Sequence, residues 1–162
     1  MARIFLCYRS GDDAYAAALL DEKLSNVFGV DDIFRASRSI RPGESYTSVI
    51  MQALKQCETM LVIIGPRWVD SIGTVEGLPA PADQDWVRIE ISTALENQAN
   101  VIPLLLSRTS RLDPRRLPSD IADLAYRQYL TFDHRNVDRD FNQIFAALGN
   151  YQLQPEAVKP PG

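Results

Sequence analysis

The residues of this 162-residue chain whose types and spacing could do chemistry are Trp86 and Glu90, in the stretch "DQDWVRIEIS". If the stretch is helical, residues four apart project from one face, so the indole and the carboxylate are neighbours in the first turns. A helix N-terminus favours an ionised carboxylate, which suits Glu90 as an anion rather than as a proton donor. The same spacing describes an ordinary helix that starts on a capping aspartate and buries an indole. The pattern by itself leaves both interpretations open.

Other familiar catalytic and binding motifs are missing from the sequence. Neither G-x-G-x-x-G nor G-x-x-x-x-G-K-[ST] occurs, so no glycine loop that cradles nucleotide phosphates is predicted. The single histidine, His134, has no serine or cysteine motif near it, and we expect a solvated loop residue. Cys7 and Cys57 lie in apolar contexts without a C-x-x-C or histidine neighbour, which favours buried free thiols and no metal site.

Composition and charge limit the class of protein further. The chain is 46% hydrophobic and 23% charged, and it has no apolar run near the roughly 20 residues that a membrane span needs. We therefore expect one soluble, cytoplasmic domain that does not bind a membrane. The net charge of −4 argues against direct binding of nucleic acid, which usually requires a basic face.

Apolar segments alternate with amphipathic segments along the chain and must position the two candidate residues. Strands are predicted over residues 3–8, 31–35, 59–65, 101–106 and 127–132, and helices over residues 14–28, 46–57, 86–97, 114–125 and 137–148. This alternation predicts an α/β fold: a flavodoxin-like three-layer domain with a central five-stranded parallel sheet in the order 2-1-3-4-5 and helices on both faces.

A sheet of this kind binds ligands beyond the carboxyl ends of its strands, near the point where the strand order reverses. The rule indicates the loops at residues 9–13, 36–45 and 66–85, and the last of these leads directly into Trp86 and Glu90. From Gly149 onward the sequence loses helical periodicity and gains proline. We therefore predict a domain over residues 1–149 and, over residues 150–162, a tail or the start of a linker to a C-terminal domain.

Four segments in order, "RIFLCYRSGDD", "SIRPGESYTSVIMQAL", "MLVIIGPRWVD" and "DWVRIEISTALENQANVIPLLL", give the chain a resemblance to a bacterial TIR (Toll/interleukin-1 receptor) domain over residues 3–148. In enzymatic members of that family, a W-x-x-x-E pair at the start of the helix after strand three carries the catalytic glutamate, and Trp86 and Glu90 match both positions. The resemblance implies that Glu90 cleaves the nicotinamide–ribose bond of NAD⁺. It implies no cofactor, because NAD⁺ is the substrate, and no metal.

The resemblance also implies which other residues meet the substrate. Trp86 would form a flat wall of the pocket, and the loop after strand one would border the ribose or nicotinamide. The loop after strand two corresponds to the BB loop of the family, whose arginines would meet the diphosphate or a neighbouring protomer. In the loop after strand one, the residues implied to bind substrate are Tyr8, Arg9 and Ser10. In the loop after strand two, Ser37, Arg38 and Arg41 are implied to bind substrate, and Ile40, Arg41, Pro42 and Gly43 are implied to form the assembly contact.

One departure from the family concerns the segment "FRAS". Many enzymatic relatives carry an aspartate just after strand two, whereas this chain has Ala36 there. Ser37 offers a hydroxyl as a partial substitute, but a hydroxyl does not replace a charge. The substitution weakens the transfer of substrate contacts from that loop and leaves the match at Trp86 and Glu90 unchanged.

Two functions of different classes follow as expectations from the resemblance. The first is an NAD⁺ nucleosidase, a glycohydrolase or cyclase that is the effector module of a bacterial anti-phage defence protein. Assembly with other TIR protomers would activate it, and a C-terminal sensor domain in the full-length protein would drive that assembly. The second is a non-catalytic adaptor that acts only by TIR–TIR contacts. Trp86 and Glu90 favour the first, because a scaffold has no chemical need for that pair.

Overall fold

The computed structural model of the protein describes residues 3–9, 13–72 and 85–157, with side chains described as far as Gly149. Within those ranges five strands form one parallel sheet in the order β2-β1-β3-β4-β5. Their bounds are Ile4–Cys7 for β1, Ile33–Phe34 for β2, Thr59–Ile64 for β3, Asn100–Leu106 for β4 and Leu130–Phe132 for β5. The predicted fold class and strand order are confirmed.

Helices cover both faces of the sheet. Their bounds are Ala14–Phe28 for α1, Ala36–Ser39 for α2, Tyr46–Gln56 for α3, Trp68–Ile72 for α4, Trp86–Glu96 for α5 and Val137–Ala157 for α6. α3, α4 and α5 pack on one face, and α1 and α6 pack on the other. Every residue of β1 and β3 is buried, as a strand covered on both faces requires.

The alternation of side chains along β1 decides which residues meet the candidate site. Ile4 and Leu6 belong to the core beneath α1 and α6, whereas Phe5 and Cys7 belong to the core beneath α3 and α5. Cys7, the last residue of β1, is therefore directed towards the helix that carries Glu90.

The predicted helix over residues 114–125 is wrong. This segment forms two short 3₁₀ turns instead, Pro114–Arg116 and Ala122–Tyr126. Leu117, which precedes Pro118, is extended with φ −109° and ψ 146°. A proline disfavours the α conformation in the residue before it, so the apolar pattern of the segment does not become a continuous helix.

Other bounds also differ from those that the sequence pattern predicts. The second strand is only Ile33–Phe34, because Gly29 at φ 99° leads into a 3₁₀ turn at Val30–Asp32. The predicted loop at 66–85 contains α4, while residues 73–84 of it lie outside the described residues. α6 continues through Ala157, past the predicted end at 148; the domain boundary at 149 stays a prediction.

The turn after β3 brings Gly65 close to the start of α1. A Cβ atom on Gly65 would collide with Oδ1 of Asp13, a buried residue at the start of α1. A residue with a side chain would therefore force the Asp13 carboxylate or the turn to shift. In the ranges that the structure describes, no helix is long and apolar enough to cross a bilayer.

Candidate active site

Asp85 fixes the start of α5 and joins it to the end of β1. Its backbone is extended, and its side chain accepts a hydrogen bond from the backbone N–H of Arg88 at 3.4 Å, the geometry of an N-cap. The same carboxylate accepts from Nη2 of Arg9 at 2.5 Å, in an ion pair that is mostly shielded from solvent. The helix carrying Trp86 and Glu90 is thereby tied to the loop after β1.

Glu90 lies one helical turn inside α5 and is buried, with 7% of its surface exposed. Burial raises its pKa from an ordinary value of 4.5 to about 7. A hydrogen bond with the Cys7 thiol lowers that pKa, the Asp85 carboxylate raises it, and the Arg9 guanidinium lowers it. The helix N-terminus was expected to favour the anion, but burial is the larger effect, so the proton on Glu90 titrates near neutral pH.

Trp86 and Tyr46 form an aromatic pair next to this carboxyl. Their ring centroids are 5.8 Å apart and their planes cross at 77°, an edge-to-face arrangement. Tyr46 begins α3 and is 50% exposed, whereas Trp86 is partly buried against the core. The pKa of Tyr46 is raised by burial and by the charge of Glu90. The two helices thus place aromatic surface beside Glu90.

The loop after β1 contributes Tyr8 and Arg9. The Tyr8 hydroxyl donates to Oγ of Ser37 at 3.3 Å, which joins this loop to the loop after β2. Beyond its ion pair with Asp85, Arg9 has a buried Nε with no hydrogen-bond partner among the described residues. A buried donor of this kind is available to an acceptor on a ligand. Ser10, the third residue predicted here, lies outside the described residues.

The predicted BB loop begins with an ion-pair cluster around Asp21 of α1. Nε and Nη2 of Arg38 donate to this carboxylate at 2.6 and 2.8 Å, and Nε of Arg35 donates at 2.7 Å. The Asp21 side chain is 4% exposed. Burial raises its pKa, but the hydrogen bonds from Arg38, Arg35 and Ser25 together lower it below its ordinary value. The Arg38 guanidinium is therefore bound to the Asp21 carboxylate of α1. A contact between Arg38 and substrate stays a prediction.

The tip of the loop is exposed. The backbone N–H of Glu44 donates to the Arg41 carbonyl at 3.1 Å, and Gly43 has φ 89°, so Pro42 and Gly43 occupy the centre of a type II turn. Arg41 and the two turn residues face solvent. Ile40 instead packs, partly buried, against the core beneath α3 and α5. The chain offers an exposed basic turn just before Tyr46 in the sequence.

Both cysteines are free thiols, as predicted. Cys7 is fully buried and Cys57 is partly buried, with its Sγ 3.5 Å from the Leu54 carbonyl. Burial raises the pKa of Cys7 well above its ordinary value and that of Cys57 to about 11. No group of three or more His, Cys, Asp or Glu side chains in the described ranges could hold a metal ion.

His134 occupies an exposed turn after β5, where a solvated histidine was expected. Its Nδ1 lies 2.9 Å from Oγ of Ser107 and 3.6 Å from Oδ1 of Asp133. A nucleophilic triad needs the acid and the nucleophile on opposite ring nitrogens, whereas both groups here contact the same nitrogen. Asp133 also accepts from the backbone N–H of Arg135 at 3.0 Å. The cluster therefore caps the turn that leads into α6.

Asp85, Cys7 and Tyr46 are site residues that the sequence reasoning did not select. Asp85 carried a signal, since an aspartate directly before a helical pattern is a common N-cap. Cys7 and Tyr46 had no comparable signal, because their relation to Glu90 depends on how β1, α3 and α5 pack.

A family model described as a TIR domain matches residues 4–145. The chain belongs to the TIR domain family. Among curated proteins, none matches the sequence. Solved structures of TIR domains share its fold at low sequence identity.

Two of these structures cover nearly all of this TIR domain. The TIR domains of the activated Roq1 resistosome, which recognises the pathogen effector XopQ, superpose with a TM-score of 0.66 at 14% identity, covering 91% of this chain and 99% of theirs. The TIR domain of the Toll-related receptor TRR-2 from Hydra magnipapillata gives a TM-score of 0.63 at 18% identity, covering 93% and 100%. A prokaryotic SEFIR domain gives 0.63 at 18% identity, covering 100% and 99%. Identities this low establish the shared fold alone.

Proposed function

We propose that this TIR domain cleaves the nicotinamide–ribose bond of NAD⁺, with Glu90 as the catalytic residue. One observation carries the proposal. The buried Glu90 carboxyl lies four residues after Trp86 at the start of α5, between β3 and β4, which matches the W-x-x-x-E motif that carries the catalytic glutamate of enzymatic relatives. Burying a carboxyl whose pKa is raised to about 7 weakens the fold, which is typical of residues retained for chemistry.

The reaction requires only one carboxylate. The C1′–N bond breaks with its electron pair passing to the pyridinium nitrogen, so nicotinamide leaves as a neutral molecule and needs no general acid. Positive charge develops on the ribose, and an ionised Glu90 in a water-poor site stabilises that charge. Water or a nucleophilic group of the same dinucleotide then attacks C1′, and the product is ADP-ribose or a cyclic isomer. A cationic substrate also favours the ionised form of Glu90.

Other residues of the site would bind the substrate. The edge-to-face pair of Trp86 and Tyr46 presents aromatic surface on which a nicotinamide or adenine ring can stack. Arg9 has a buried Nε donor still available for a ribose or phosphate oxygen. Tyr8 and Ser37 join the two loops that flank this side of the site.

The wider setting of the activity is part of the same proposal. The domain would be the effector module of a bacterial anti-phage defence protein, switched on when TIR protomers assemble under the control of a C-terminal sensor domain. The exposed turn at Arg41, Pro42 and Gly43 is available for contact with a neighbouring protomer. The same turn supports the alternative function, a TIR adaptor that acts by assembly without catalysis.

The test is release of nicotinamide from NAD⁺ by concentrated or artificially clustered protein. The variants are Glu90→Gln, which keeps the shape of the side chain, and Glu96→Gln, an exposed glutamate at the other end of α5, as the matched control. We expect release by the wild type and by Glu96→Gln, and a loss of at least about a hundredfold in Glu90→Gln. Equal release by Glu90→Gln would remove Glu90 from the mechanism. No release by any protein, even when assembled, would favour the adaptor.

A further inference from the structure

The segment between β2 and the exposed turn is held by a carboxylate from another helix. α2 has only four residues, Ala36–Ser39, too few for a helix to be stable without tertiary contacts. The buried carboxylate of Asp21 on α1 supplies such contacts, because it binds Arg35 just before α2 and Arg38 within it. These two ion pairs fix α2 against α1.

The two arginines use their nitrogen atoms differently. Arg38 binds Asp21 through Nε at 2.6 Å and Nη2 at 2.8 Å, and Nη2 also donates to the Ile33 carbonyl at 2.8 Å. Arg35 binds the same carboxylate through Nε, at 2.7 Å. Its Nη1 donates to Oγ of Ser37, at 2.6 Å. Arg35 thus connects the buried carboxylate to Ser37.

Ser37 is the point at which the loops after β1 and β2 meet. Its Oγ accepts from Nη1 of Arg35 and, at 3.3 Å, from the hydroxyl of Tyr8. A serine hydroxyl has two acceptor positions and one proton, so two donors leave that proton for a further acceptor. Ser37 is exposed, and an acceptor oxygen of a bound substrate can reach it. The rigid guanidinium of Arg35 thereby sets the direction in which Ser37 donates.

We propose that Arg35 is a positioning residue of the substrate site: held by Asp21, it fixes the Ser37 hydroxyl against Tyr8, so that Ser37 donates to an acceptor oxygen of the substrate. The effect on substrate affinity rests on the proposed function, whereas the connection from Arg35 to Tyr8 does not. Such a contact binds the ground state and the transition state alike, so it should lower KM and leave kcat unchanged.

The experiment changes Arg35 without removing the positive charge beside Asp21. Arg35→Lys keeps that charge, but a lysine has a single ammonium group and lacks the fork that reaches both Asp21 and Ser37. Arg38 still binds the carboxylate, so the variant should fold. Ser37→Ala removes the far end of the connection. Ser25→Ala is the matched control, because the Ser25 hydroxyl donates to the same carboxylate at 2.9 Å from within α1.

The first measurement is kcat and KM for nicotinamide release by each assembled protein. In Arg35→Lys and in Ser37→Ala, we expect KM to rise about three- to tenfold, as for the loss of one hydrogen bond, and kcat to stay within about twofold of wild type. The double variant should have the KM of Ser37→Ala alone, because both changes break the same connection. Ser25→Ala should keep both constants.

The second measurement is the NMR spectrum of the Tyr8 ring, which needs no turnover. Arg35 reaches Tyr8 through the Ser37 hydroxyl, so Arg35→Lys and Ser37→Ala should shift the ring resonances in the same direction. Ser25→Ala should leave these resonances where they are in the wild type.

A purely structural role for Arg35 gives a different result. Arg35→Lys would then lower Tm and kcat while KM and the Tyr8 resonances kept their wild-type values, and this would overturn the proposal. If the wild type releases no nicotinamide, the proposed function fails. The NMR spectrum still decides the role of Arg35 in that case: unchanged Tyr8 resonances in Arg35→Lys refute it, and a shift shared with Ser37→Ala supports it.

Discussion

Replacing Glu90 with glutamine should stabilise the domain at alkaline pH. Unfolding returns the pKa of Glu90 from about 7 to its ordinary value of 4.5. Between these values the folded state binds more protons than the unfolded state, so folding stability falls as pH rises. The contribution of the protonated carboxyl is fully present below pH 4.5 and is lost as pH rises through 7. One pKa unit corresponds to about 1.4 kcal/mol, so from pH 5 to pH 8 the loss is about 2 to 3 kcal/mol.

Urea denaturation of the wild type and Glu90→Gln at pH 5 and pH 8 measures this loss. The difference between the wild type and Glu90→Gln cancels the titration of groups that do not interact with Glu90. We expect Glu90→Gln to gain about 2 to 3 kcal/mol relative to wild type on going from pH 5 to pH 8, and Glu96→Gln to gain nothing comparable. A Glu90→Gln advantage that is the same at both pH values would show that Glu90 titrates normally in the folded protein. The burial of Glu90 would then neither raise its pKa nor destabilise the fold at alkaline pH.

Three further predictions concern residues around the site. Asp85→Asn keeps an N-cap but removes the charge that raises the pKa of Glu90, so the acid limb of nicotinamide release should move to lower pH. Asp21→Ala leaves Arg35 and Arg38 without their buried partner and should lower the free energy of unfolding by about 2 to 4 kcal/mol, measured in urea. Gly65→Ala places a methyl group against the Asp13 carboxylate and should destabilise the fold by about 1 to 3 kcal/mol, visible as a lower Tm.

The strand order and most helices of the fold were predictable because the hydrophobic pattern of each segment matches the burial of its residues in the structure. The apolar runs of β1, β3 and β4 are covered on both faces, and the helical periodicity of α1 and α5 gave bounds that the structure matches to within a residue. The helix predicted over residues 114–125 failed because the geometry imposed by Pro118 overrides an apolar pattern of helical spacing. α6 passes beyond the point where its periodicity ends.

The candidate site was only half predictable. Trp86 and Glu90 lie four residues apart on one helix, so the sequence spacing alone predicts that they are neighbours. Cys7 and Tyr46 come from β1 and α3, and only packing brings them to Glu90. The ion pair of Arg38 with Asp21 is likewise a tertiary contact, which sequence spacing does not reveal. The raised pKa of Glu90 follows from that same packing rather than from its place on the helix.

The most direct test of whether an ionised Glu90 cleaves NAD⁺ is kcat/KM for nicotinamide release by the assembled domain from pH 5 to 9, beside Glu90→Gln. Because kcat/KM reports the free protein, we predict an acid limb with a midpoint near pH 7, the value to which burial raises the pKa of Glu90, and no comparable release by Glu90→Gln. Equal release by both proteins, or a limb near pH 4.5 in the wild type, would contradict the account.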